Sequence, residues 1–130
     1  MILEQTVSLE AEQAVERYFQ TFNQGEFETT ANLFTGTGQL LPPFEEPVIG
    51  PEAIHAYLKS EAEGMQAFPK DVTVETLDGD RQRVLVKGHV KAIIFQVNTA
   101  WIFELDSQGN IEQVEVKLLA SLQELLTLRS

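Results

Sequence analysis

Residues 97–119 read VNTAWIFELDSQGNIEQVEVKLL, and this stretch decides the fold. Val97, Thr99, Trp101, Phe103 and Leu105 alternate with Asn98, Ala100, Ile102 and Glu104. A period of two marks a strand with one face buried. Asp106-Ser107-Gln108-Gly109-Asn110 supplies turn chemistry, and a second alternation follows. Val114, Val116 and Leu118 lie on one face, Gln113, Glu115 and Lys117 on the other. The pattern predicts a long antiparallel hairpin with an apolar face. The only tryptophan of the chain points into that face, and a buried indole needs a partner for its N–H.

Upstream of the hairpin the period changes. Residues 9–23 place Val15, Tyr18, Phe19 and Phe22 at i, i+3, i+4, i+7 spacing, which predicts an amphipathic helix capped by Ser8 and ended by Asn23-Gln24-Gly25. A shorter helix is expected over 26–34, burying Phe27, Ala31 and Phe34. Thr35-Gly36-Thr37-Gly38 reads as a turn before a brief strand, Gln39–Leu41, that Pro42-Pro43 stops. A third helix opens at Pro51 with the stripe Ile54, Leu58, Ala62 and Met65. Strands are expected over Val72–Leu77 and Arg83–Ala92, joined at Asp78-Gly79-Asp80. Ser121-Leu122-Gln123-Glu124 has the form of a capping box opening a short leucine-rich helix. Helices first and strands afterwards predict a single α+β domain over residues 1–130, with the helices packed on one antiparallel sheet.

Composition narrows the function. The 130 residues are 43% apolar, which suits a folded domain with a real core. Nine basic against twenty acidic residues leave a net charge of −11, which argues against a general nucleic-acid or anionic-membrane surface. There is no cysteine, hence no disulfide or thiolate chemistry. No apolar run reaches membrane-spanning length, and the acidic first residues do not read as a signal peptide. A cytoplasmic protein without membrane insertion is the expectation.

Enzyme constellations are thin. His55 and His89 stand alone, without further ligands at metal spacing, so no metal site is expected. No nucleophile elbow or phosphate loop is present. Glu45-Glu46 is a loop carboxylate pair that reads either as a base or as a solvated pair. Tyr18 and Trp101 carry more information, because both are amphipathic aromatics on apolar faces. Either each is a core residue satisfied locally, or their two donors converge on one ligand oxygen in an apolar cavity.

The segments YFQTFNQGEF, PPF…PVIG, NTAWIF and KLLASLQELLTL, spread over residues 12–129, resemble the nuclear transport factor 2-like fold. More narrowly, they resemble the C-terminal domain of the orange carotenoid protein family and its free-standing homologues. The resemblance implies a cone: a strongly curved antiparallel sheet around three N-terminal helices, with a pocket at the wide end. It implies that Tyr18 and Trp101 donate hydrogen bonds to the keto oxygen of a ketocarotenoid of the echinenone or canthaxanthin type. Leu40, Pro42, Pro43, Phe44, Val97, Thr99 and Leu118 would line the apolar tunnel beside them. It further implies a non-catalytic carrier with a photoprotective connection and a cyanobacterial origin. Such a carrier would pair as a homodimer and deliver cargo to a helical carotenoid-binding protein. Within 91–97 the chain departs from the full-length protein, since the loop is shorter and Ile94 falls near the place of another tryptophan.

The competing resemblance is to ketosteroid isomerase, around RYFQTFNQGEF. That chemistry needs a carboxylate base and a protonated acid beside the tyrosine. Pro42 and Trp101 fall at those places, so two donors remain without a proton acceptor. A third reading is a fold member whose pocket holds another apolar molecule or which acts as a dimerisation module. The apolar outer-face positions Ala100 and Ile102, and Phe44 at the rim, mark the two candidate dimer surfaces.

Overall fold

A computed structural model describes residues 7–119; the expected C-terminal helix, from Ser121, lies outside them. The first helix, α1 (Leu9–Asn23), begins where the sequence says it should. The Ser8 hydroxyl accepts from the Ala11 N–H at 3.1 Å, and Glu10 and Glu12 sit in the positively polarised first turn. Its buried face carries Ala11, Ala14, Val15, Tyr18, Phe19 and Phe22. The second helix, α2 (Phe27–Ala31), is shorter than expected, because Phe34 already belongs to a strand, β1 (Phe34–Leu41). Thr35-Gly36-Thr37-Gly38 is therefore strand and not turn. It is the irregular part of that strand: the register with β6 (Ile111–Leu119) jumps from Phe34–Ile111 to Gln39–Gln113, so pairing at its two ends holds a glycine-rich bulge in place. A Cβ on Gly38 would stand 2.9 Å from the Ile111 carbonyl oxygen, so the glycine permits the close approach.

A two-residue strand, β2 (Val48–Ile49), leads to Gly50 at φ 90° and to α3 (Pro51–Glu61), which buries Ile54 and Leu58. Four long strands follow: β3 (Gln66–Thr76), β4 (Gln82–Lys91), β5 (Gln96–Leu105) and β6 (Ile111–Leu119). The strand expected from Val72 thus starts six residues earlier by these bounds, and the expected Arg83–Ala92 strand is shifted by one.

The six strands run in the order β2-β1-β6-β5-β4-β3. Every pairing is antiparallel except β1 with β6, which is parallel and requires the long crossover through α3 and the meander. The α+β architecture is as expected: three helices against a curled, unclosed sheet. Part of the curl has a visible source. Between Pro69 and Asp71 the β3–β4 register slips, and opposite the slip stands Gly88. A Cβ on Gly88 would fall 2.0 Å from the Phe68 carbonyl oxygen, so only glycine lets β3 fold over β4.

The concave face is lined by Val84, Val86, Trp101, Phe103, Leu105, Ile111 and Val114, all buried in one core cluster with the inner faces of the helices. Two polar devices fix the helices on it. The Asn23 side chain pairs with the Ala67 backbone, donating to its carbonyl at 2.9 Å and accepting from its N–H at 2.7 Å. The buried hydroxyls of Thr21 and Thr30 meet at 2.6 Å and tie α1 to α2. On the convex face Arg81 and Arg83 join Glu75, Glu104 and Glu112 in an ion-pair ladder. Among the described residues no helix is long and apolar enough to cross a membrane.

Candidate functional site: an apolar cavity under α1 and α3

At the open end of the curled sheet lies a cavity of about 300 Å³. All nine sequence-predicted site residues line it: Tyr18, Leu40, Pro42, Pro43, Phe44, Val97, Thr99, Trp101 and Leu118. Tyr18 arrives from α1, Leu40 and the prolines from the end of β1, Val97 to Trp101 from β5, and Leu118 from β6. Alternation along β5 explains the grouping, because Val97, Thr99 and Trp101 share the face that Phe103 and Leu105 carry further into the core.

Tyr18 and Trp101 form the deep wall and are locked by aromatic packing. The Tyr18 ring stands edge-on to Phe103 at 5.1 Å and Phe19 at 5.4 Å, and Phe19 in turn stands edge-on to Trp101 at 4.9 Å. Only 2% of Tyr18 and 3% of Trp101 is exposed. Neither the Tyr18 hydroxyl nor the Trp101 indole N–H has a hydrogen-bond partner among the described residues. Yet no fully enclosed side-chain nitrogen or oxygen among them lacks one. Part of the sliver of surface each retains is therefore its polar tip, and both residues line the cavity. Burial pushes the Tyr18 hydroxyl well above the ordinary tyrosine range, so it stays a neutral donor. Thr99, also fully buried, spends its hydroxyl on the Val97 carbonyl at 3.1 Å.

The mouth is built differently. Phe44 sits at φ 63° with 95% of its surface exposed. Across the opening, Phe95 comes from the β4–β5 turn, which the Ala92 N–H to Phe95 carbonyl bond closes at 2.8 Å. Ile94 is 88% exposed and does not line the cavity, so Phe95 is the aromatic that this loop contributes. Sequence reasoning missed it, together with Tyr57, Glu61, Met65, Val90 and Val116. Three of those were half visible: Met65 belongs to the stripe Ile54, Leu58, Ala62 and Met65, whose spacing points to the core, and Tyr57 and Glu61 border it.

Glu45 also needs revision. It is neither deep nor merely solvated: its carboxylate rims the cavity and accepts the Tyr57 O–H at 3.1 Å. Glu61, one turn further along α3 than Tyr57, rims it too. Partial burial, that hydrogen bond and the charges of Glu45 and Glu61 push the Tyr57 hydroxyl up to about 12. Both carboxylates are exposed and belong to the mouth, while the donors belong to the floor. Among the described residues, no basic side chain lines the cavity. Elsewhere, His89 stacks on Phe68 at 4.8 Å and His55 borders a separate polar depression. The described residues hold no group of three or more metal-ligating side chains.

Residues 10–114 match the nuclear transport factor 2 (NTF2) domain. The chain belongs to that family. Within it, the chain is 33% identical over 113 residues to an orange carotenoid-binding protein of Synechocystis sp., a match covering 84% of this chain and 36% of that protein. The orange carotenoid protein of Anabaena (Nostoc) sp., solved binding canthaxanthin, superposes with a TM-score of 0.81 at 30% identity, over 98% of this chain and 41% of that one. This NTF2 domain thus spans little more than a third, 36% and 37%, of the curated relatives it matches, and it resembles their C-terminal domain. The epoxide hydrolase/cyclase-like enzyme SalBIII shares the fold, with a TM-score of 0.68 at 19% identity, over 88% of this chain and 93% of that one.

Proposed function

We propose that this NTF2 domain is a non-catalytic carrier for a ketocarotenoid of the echinenone or canthaxanthin type. The observation that carries the proposal is the pair of unpartnered donors, Tyr18 O–H and Trp101 N–H, on the floor of an apolar cavity. Two neutral donors facing one apolar space suit a single carbonyl oxygen, and each such bond contributes about 1 kcal/mol net. Most of the affinity then comes from the ring and polyene, at ~25 cal/mol per Å² buried. Leu40, Pro42, Pro43, Val97, Thr99 and Leu118 supply apolar contact along the way, and Phe44 meets the ligand at the mouth. No step of bond making is assigned to the site, since its carboxylates stand at the solvent rim and not beside the donors.

A ketocarotenoid is far longer than a cavity of about 300 Å³, so one ring is housed and the remaining polyene leaves by the mouth. The exposed Phe44, Ile93, Ile94, Phe95 and Leu118 supply apolar surface there. That surface is where a second copy would seat in a homodimer, and where a helical carotenoid-binding recipient would take the cargo. The outer sheet face is the weaker choice. Ala100 is only 4% exposed, and the ion-pair ladder occupies the neighbouring positions. A cytoplasmic place in cyanobacterial photoprotection is part of the same reading and rests on the likeness to the orange carotenoid proteins.

Expression in a host making ketocarotenoid tests it, with a host making the keto-free carotenoid as control. The purified wild-type protein should be coloured from the first host and far paler from the second. A colourless protein from both, or equal colour from both, overturns the reading.

A further inference from the structure

The cavity is electrically lopsided, and the lopsidedness has a consequence for which ligands can enter. Its floor presents two unpartnered donors on side chains that are 2% and 3% exposed, Tyr18 and Trp101. Its mouth presents two carboxylates, Glu45 and Glu61, with Tyr57 between them on α3 and bonded to Glu45 at 3.1 Å. No lysine, arginine or histidine is among its described lining residues. A cation near the rim, Lys117, lies in the adjoining groove beyond Pro42–Glu45 and stands 4.0 Å from Glu115. Tyr57 registers the resulting field, since both carboxylates help to raise its hydroxyl to about 12, after burial and the Glu45 bond.

We propose that Glu45 and Glu61 act as a charge filter at the mouth, admitting apolar molecules that end in a neutral carbonyl and rejecting those that end in a carboxylate. This rests on the carrier reading, and assigns the selectivity to residues other than the donor pair. The two donors by themselves do not discriminate, because O–H and N–H groups bind a carboxylate oxygen at least as well as a ketone. Rejection of an acid therefore needs a second element. Part of it is the cost of moving a carboxylate from water to an apolar floor without a cation. The remainder is repulsion from Glu45 and Glu61. At a separation of about 10 Å and an effective dielectric of about 20, two like charges repel enough to change affinity by roughly tenfold.

Retinal and retinoic acid make the test, because they share one polyene and differ in the terminal group. Binding to the full chain is followed by quenching of Trp101, the only tryptophan. At pH 8 and low salt the wild-type protein should bind retinal at least about tenfold more tightly than retinoic acid. In the Glu45→Gln/Glu61→Gln double variant the gap should narrow about tenfold through tighter binding of the acid, with retinal unchanged. The amide oxygen that replaces the Glu45 carboxylate can still accept the Tyr57 O–H, and both sites are exposed, so the fold is retained; far-ultraviolet circular dichroism checks it. Salt should narrow the wild-type gap more than that of the double variant. Equal affinities in the wild-type protein, or a gap that the two substitutions leave undiminished, overturn the filter. If a ketocarotenoid is still held in those cases, the filter falls alone. If neither retinal nor a ketocarotenoid is bound, the carrier reading falls and takes the filter with it.

Discussion

The two ends of the cavity are made from opposite materials. Its floor is core: Tyr18 and Trp101 are set in a cluster of phenylalanines, each held by edge-to-face neighbours and almost wholly out of water. Its mouth is loop, with Phe44 in a left-handed backbone conformation, Ile93 and Ile94 nearly fully exposed, and one hydrogen bond, Tyr57 to Glu45, across the opening. The floor can hold a polar atom in a defined place because packing has already restricted its side chains. The mouth can accommodate a long ligand because few contacts oppose its rearrangement. Fold stability and site geometry are therefore one problem at the floor, and two separate problems at the mouth.

Breaking the floor should break both. Trp101→Ala removes a side chain that is 3% exposed and packs on Phe19, so about 3–5 kcal/mol of stability should be lost. Pigment retention should fall with it. Denaturant unfolding and the absorbance ratio of the purified protein measure the two, and a stable, fully coloured variant would separate floor from core. Next in size comes the device that curls the sheet. Gly88→Ala drives a methyl group to 2.0 Å from the Phe68 carbonyl oxygen, and should cost about 1–3 kcal/mol. Thermal unfolding reports it.

A smaller effect sharpens the role of Tyr18. Its hydroxyl is held protonated by burial, above the ordinary tyrosine value of about 10. Above that pH the unfolded chain loses its proton while the folded one keeps it. Stability from this source is thus complete below about pH 10 and declines as the pH rises beyond it. Tyr18→Phe should flatten that alkaline decline, keep pigment and shift its colour. A decline as steep as in the wild-type protein would assign it elsewhere, with Tyr57, also raised, as the next group to test. The smallest effect on stability belongs to the mouth. Phe44→Ala removes a ring that is 95% exposed, and should change stability by no more than about 0.5 kcal/mol while speeding loss of pigment. Stability measurements beside dissociation rates check the contrast, and a large destabilisation would join the mouth to the core.

Much of this was legible beforehand, for reasons that can be named residue by residue. The period-two run Val97–Leu105 and the 3.6-residue stripe of α1 each bury one face, and each placed one donor on it: Trp101 and Tyr18. Local chemistry also announced the Ser8 cap, the Pro51 start and the turn at Gly79. The segment Phe34–Gly38 misled in part: its glycines and threonines do break the ladder as a bulge, but the pairing of Phe34 and Gln39 that keeps it within a strand comes from β6, more than seventy residues away in the chain. The early start of β3 at Gln66 was hidden for a similar reason: Pro69 breaks the pattern locally, and only Gly88 across the ladder lets the strand continue. Tyr57 and Glu61 were half hidden, since only packing of α3 over the sheet brings them to the cavity, and Phe95 was hidden by the turn that places it, although it stands two residues before Val97.

The chain by itself therefore determined which faces are apolar, where the helices begin, and that a phenol and an indole donor lie on the apolar faces of the first helix and the central strand. These follow from periodicity and capping, which act over a few residues. Tertiary structure alone decided that β1 runs parallel to β6, that Gly88 lets β3 cross over its neighbour, and that two carboxylates face two donors across one cavity. Those arrangements join residues far apart in the chain, and their energy exists only once the sheet has curled and brought them together.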